Sequence, residues 1–200
     1  MARALRPAKH LTQQQIDALH ESAERAVLIE CARRTNKKVW LKGGAGPDTT
    51  EISAQLVAKS SESELVARAL LPDTDLNAGG VAYDQWLTAA LVAATEYQFT
   101  AQQLRTDQVA AVIGVATLDA NPGISRIRCL TGAAVVMSAW DATPLWAAED
   151  TIGYADEFPL WSVQETMNIF LMPYITKAGG ERFILIGYIA EPKGTGPITR

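Results

Sequence analysis

Histidine and cysteine are scarce in this chain, two of each in 200 residues. His10 and His20 both lie near the N-terminus, which argues against a histidine-based catalytic triad and against a His-rich metal centre. Cys31 and Cys129 stand far apart, without the spacing of a disulfide framework or a thiolate metal site, and read as reduced core thiols. No metal and no cofactor is expected. No apolar run reaches the roughly 18 residues that a membrane-spanning helix needs. The basic N-terminus lacks the apolar segment of a secretory signal, so synthesis in the cytoplasm is the expectation. The glycine loop of residues 42–48 follows a short strand-like run, yet lacks the Gly-Lys-Ser/Thr ending of a P-loop and the spacing of a dinucleotide loop. It reads as a connector.

What is present is an ordinary globular composition, 48% apolar and 20% charged. The length suits one domain that buries its core without staples. The expected division is a basic arm over residues 1–10 and a single α+β domain over 11–200. Net charge is −4, unevenly placed. Residues 1–42 hold nine Lys and Arg against four acids, a net of +5, and the rest of the chain therefore carries −9. A basic N-terminal part on an acidic body suggests a polyanion partner or association between copies.

Along the chain, Thr12 and Gln15 fit a capping box that opens a helix. Ile16, Leu19, Ala23, Ala26, Val27 and Cys31 form its apolar stripe, and His20 falls on the side expected to be wet. Leu28, Ile29 and Ala32 lie off the stripe. Either a partner covers that part of the helix, or residues 26–33 are a strand. Residues 33–38 then read as a helix end or turn, and a short strand begins at Val39. Residues 52–58 and 65–71 alternate and could close a hairpin, although either could be a short helix. Residues 83 to about 104 place Tyr83, Trp86, Leu87, Ala90, Leu91, Ala94, Tyr97, Ala101 and Leu104 on one helical stripe, so a central helix is expected there. Its end also alternates like a strand. From Val109 onward the pattern is β, with a turn at residues 119–123 and Arg126 and Arg128 on one face of a strand.

Residues 162–191 carry two apolar runs around Gly179-Gly180, the usual form of a hairpin with a longer loop. In the second run both alternating sets are apolar: Phe183, Leu185 and Ile189 on one face, Ile184, Ile186 and Tyr188 on the other. A strand of that kind needs cover on both sides, from its own fold or from a neighbour. Gly187 permits a bulge or a close backbone approach, and Pro173 marks an edge or a strand end. The sum is an α+β chain, an N-terminal and a central helix with a largely antiparallel β-sheet or sandwich in the C-terminal half.

Two functions fit. The first is a structural, self-assembling subunit, most concretely a viral or phage capsid protein located in the virion. Its partners are copies of itself, with packaged nucleic acid as a further partner for the basic part. The residues expected at subunit interfaces or on a polyanion are Arg3, Arg6, Lys9, Arg33, Arg34, Lys37 and Lys38. Trp86, Trp146 and Trp161 are the expected interface aromatics. No aromatic residue precedes Trp40, which argues against base stacking. The second is a soluble α+β enzyme or a carbohydrate- or small-ligand-binding domain using the acidic aromatic segment 141–161, with Glu149, Asp150, Asp156 and Glu157 as carboxylates and a pocket lined by Trp146 and Trp161.

Overall fold

The computed structural model describes residues 2–39, 63–71, 75, 87–132 and 135–195. Helix α1 (Gln13–Thr35) starts at the expected capping box. Thr12 Oγ1 accepts the Gln15 N–H at 3.3 Å, and Gln15 Oε1 accepts the Thr12 N–H at 2.9 Å. It ends at Asn36, which adopts the left-handed conformation at φ 54° that stops helices. Residues 26–33 are therefore helical, not a strand. Ala23, Val27 and Cys31 are its fully buried positions.

Eleven strands are described: β1 (Arg3–Ala4), β2 (Arg6–Pro7), β3 (Leu65–Ala69), β4 (Tyr97–Gln103), β5 (Val109–Thr117), β6 (Ile124–Thr131), β7 (Val135–Asp141), β8 (Ile152–Tyr154), β9 (Leu160–Trp161), β10 (Thr166–Pro173) and β11 (Phe183–Pro192). A short helix, α2 (Thr143–Ala147), follows β7. The first sheet runs β1-β7-β6-β10-β4 and the second β2-β8-β5-β11-β3, with β9 also against β5. Among the strand pairs described, β1–β7 alone is parallel. The two sheets face each other over one core that includes Val112, Val115, Ile127, Trp140, Trp161, Ile169, Phe183 and Ile189. The α+β sandwich is as the sequence pattern predicts.

The double cover required by β11 comes from within the chain. Phe183, Leu185 and Ile189 face the sandwich core, while Ile186, Tyr188 and Ala190 meet α1. β5 is treated in the same way and is buried at all nine positions. An extra residue on β5, opposite the Ile186–Gly187 step, shifts the register there. Gly187 is needed because a Cβ would collide with the Ala111 carbonyl oxygen.

Three expectations are corrected. The runs of residues 162–191 are both strands but not a hairpin: β10 lies in the first sheet and β11 in the second, so their connection crosses the sandwich. β11, apolar on both faces, lies between α1 and the facing sheet, whereas β10, mixed on one face with Thr166 and Asn168, lies in the other sheet. The central helix does not form over residues 87–104. Ala94 sits at φ 59°, which ends any helix, and β4 instead pairs with β10, its Phe99 ring edge-on to Phe183 at 5.8 Å. Sheet pairing and core packing override the helix preference of alanine and leucine. His20 is not on a wet face. Its Nδ1 and Nε2 lie 2.8 Å from the Tyr188 hydroxyl and 3.2 Å from that of Tyr154, fixing α1 to its sheet. Residues 65–69 form β3, paired with β11; residues 52–58, the glycine loop, residues 83–86 and the strand start beyond Val39 lie outside the described residues.

Candidate functional site

The basic N-terminal segment is a clasp on the chain's own acidic segment. Arg3–Ala4 adds a strand to the first sheet beside Trp140 and Asp141, and Arg6–Pro7 adds one to the second sheet beside Gly153 and Tyr154. Between them Leu5 is 1% exposed, part of the sandwich core, and its N–H donates to the Asp141 carbonyl at 2.9 Å. Arg3 pairs with Glu157, and Arg6 Nη1 lies 3.0 Å from Asp156 Oδ1. The Lys9 backbone N–H donates to Asp150 Oδ2 at 2.9 Å, so at Lys9 the backbone makes the contact. Three of the four carboxylates proposed for sugar chemistry thus receive the arm. The fourth, Glu149, is exposed at φ 55°.

Arg33 and Arg34 fold back onto Glu30, with Arg33 Nη2 and Arg34 Nε each 2.7 Å from Oε1, and Ser162 Oγ donates to the same carboxylate at 3.0 Å. Arg33 first, then Arg34 and Ser162, hold the Glu30 carboxyl down to about 2 against the opposing effect of burial. Lys38 is exposed and Lys37 half-buried at the helix end. The aromatic expectations divide. Trp161 is fully buried, its indole N–H donating to the Leu130 carbonyl at 2.8 Å, and is a core residue, not a surface anchor. Trp146 is partly buried against the core and donates to the Ile124 carbonyl at 2.6 Å. Trp86 lies outside the described residues.

Two further carboxylates are fully buried, and their partners identify them as braces. Glu191 accepts from Arg68 Nε at 2.7 Å, Gln108 Nε2 at 2.9 Å and Arg105 Nη2 at 3.1 Å, and Arg68 also binds Asp75. Glu181 accepts the Gly123 N–H at 2.5 Å, the Thr117 hydroxyl at 3.0 Å and Lys177 Nζ at 3.2 Å. Each ties loops to strands and leaves no carboxylate oxygen unoccupied. Both thiols are buried, and burial pushes Cys31 up to about 11 and Cys129 further up, away from reactivity. Among the described residues no group of three or more His, Cys, Asp or Glu side chains could hold a metal ion, and no helix is long and apolar enough to cross a membrane.

The surface that departs from ordinary protein design is the outer edge of β7. β1 covers it at Trp140 and Asp141, and the turn at Gly132 precedes it. From Val135 to Ala139, no described strand pairs with that edge. Edge strands are usually blunted with charge or proline, and the stretch Val135-Val136-Met137-Ser138-Ala139 has neither. One bulge, with Met137 as the extra residue opposite the Cys129–Leu130 step, is its blunting device. Val135 and Val136 are 63% and 50% exposed, whereas Met137 packs against the core and Trp140 is buried in it. The valines favour a strand, and the tryptophan fixes the register. Among the described residues, the result is a strand with no partner on its outer edge from Val135 to Ala139 and an apolar surface beside a charged clasp. Nothing in the sequence pattern marked this edge, because strand order in the sheet is not chain order.

No family model matches the chain, and no curated protein matches it. A solved structure with partial likeness is a chain from Bacillus endospore appendages, described as a novel family of disulfide-linked pili. It shows 11% identity and a TM-score of 0.30, over 64% of this chain and 88% of that chain. A likeness of that size defines neither fold nor function.

Proposed function

We propose that the chain is a structural subunit that associates with copies of itself, and that the open edge of β7 is where association begins. The observation that carries this reading is the uncharged, valine-bearing stretch from Val135 to Ala139, which has no described strand on its outer edge. Such an edge gains backbone hydrogen bonds and apolar burial by accepting another strand. The finer form of the reading is the coat subunit of a virus or phage, made in the cytoplasm and located in the virion. Large closed particles are what that form requires, and a filament would replace it. Copies of the chain are the partner this reading names. Nucleic acid gains no support, since Arg3, Arg6, Arg33 and Arg34 are all paired with this chain's own acids. The alternative, a sugar site in segment 141–161, is disfavoured by the same pairings and by the burial of Trp161.

The test is the mass distribution of the purified chain by light scattering, beside the variant V135K/V136K. Two lysines on an exposed edge leave the core untouched and oppose strand addition. The expected result is multi-chain species for the natural sequence and a single-chain species for the variant. Single chains in both, over a range of salt and concentration, overturn the reading.

A further inference from the structure

We infer that the N-terminal clasp is exchanged between copies: residues 2–10 of one chain seat in the cleft between β7 and β8 of the next. This rests on the self-association reading and names the segment that links the subunits. The cleft and its occupant are complementary in sign. The clasp carries Arg3, Arg6 and Lys9 and no acid, while the cleft rim presents Asp150, Asp156 and Glu157. They are also complementary in shape. Leu5 fills a core position between the sheets, and a two-residue strand on either side of it extends each sheet at its edge.

The clasp is separable from the helix behind it. Helix α1 opens on its own capping box at Thr12 and Gln15, so it needs nothing from residues 2–10 to begin. Lys9, His10 and Thr12 are exposed and Ala8 and Leu11 are only partly buried, so the turn at Ala8–His10 and Leu11 is the connection that swings outward when the clasp leaves. A clasp released from its own cleft finds an identical cleft on a second copy, where every bond it has lost is available again. Association along the β7 edge brings copies together first, and clasp exchange then links the associated copies.

The test uses register. Ala4 and Asp141 are paired across β1 and β7, and paired residues in a sheet lie roughly 4.7–4.9 Å apart, within disulfide reach. In the double variant A4C/D141C the bond closes within a chain if the clasp is its own, and joins chains if it is exchanged. Mixing the single variants A4C and D141C permits the bond only between chains. The expected result, in assembled material oxidised under native conditions, is a ladder for the double variant and a covalent dimer for the mixture. A second pair avoids any loss from altering Asp141. R3E and E157R each oppose the exposed pair between Arg3 and Glu157, and mixing them restores matched pairs in trans alone. Assembly recovered by mixing is expected. Assembled material with bonds only within chains and no recovery on mixing overturns the exchange while the assembly reading stands. Absence of multi-chain species in the natural sequence overturns both.

Discussion

Leu5→Ala is the sharpest perturbation of the N-terminal clasp. Leu5 is 1% exposed and belongs to the sandwich core although it lies five residues from the start of the sequence. The substitution removes three carbons, worth about 2.4 kcal/mol at roughly 0.8 kcal/mol per buried methylene. The cavity left between the sheets raises the loss to about 3 kcal/mol. For a chain of this size the melting temperature should fall by roughly 6–12 °C. Denaturant unfolding of the dispersed chain measures the loss, with K9A as the control. Lys9 meets Asp150 through its backbone N–H, so K9A should leave stability unchanged. A loss below about 1 kcal/mol for Leu5→Ala, or an equal loss for K9A, refutes the account of Leu5 as the seat of the clasp.

Other outcomes follow from the buried charges and thiols. E191A strands Arg68 and Gln108 beside an empty site and should cost about 3 kcal/mol, measured by chemical denaturation. Glu30 is ionised in the folded chain down to about 2, against an ordinary 4.5. It therefore contributes stability above pH 4.5 that is lost as pH falls toward 2, and E30Q should flatten that part of an acid titration followed by circular dichroism. Cys31, pushed up from 9.0 to about 11 by burial, stays protonated in the folded chain where the unfolded chain ionises. Stability should fall as pH rises from 9 toward 11, with C31A less sensitive over the same window. Neither thiol should react with a disulfide reagent in the native protein, and both should react in denaturant.

Local rules were legible wherever they acted locally. The Thr12–Gln15 capping box, the helix end near Asn36, the β character from Val109 onward and the two apolar faces of β11 all follow from neighbouring residues. The need for double cover on β11 was also legible, although not the source of that cover, which is α1 from the far end of the chain. Long-range partners decided the rest. The stretch around Tyr97 has both periodicities, and its pairing with β10 selected the strand. The basic arm and the acidic segment were each visible as charge, yet their mutual pairing spans 150 residues between Arg6 and Asp156. Trp161 reads as a surface aromatic because acids precede it in the sequence, while its ring turns inward between the sheets. The β7 edge became visible only with the order β1-β7-β6-β10-β4, since hydropathy says which face of a strand is covered but not which strand is last.

Amide hydrogen exchange at residues 135–139, compared between dispersed and assembled chains, decides whether copies associate through the outer edge of β7. On this account, the outward-pointing amides of residues 135–139 should exchange rapidly in the single chain and become strongly protected once copies associate, with β5 protected in both. Assembled material in which residues 135–139 exchange as fast as in the single chain would contradict it.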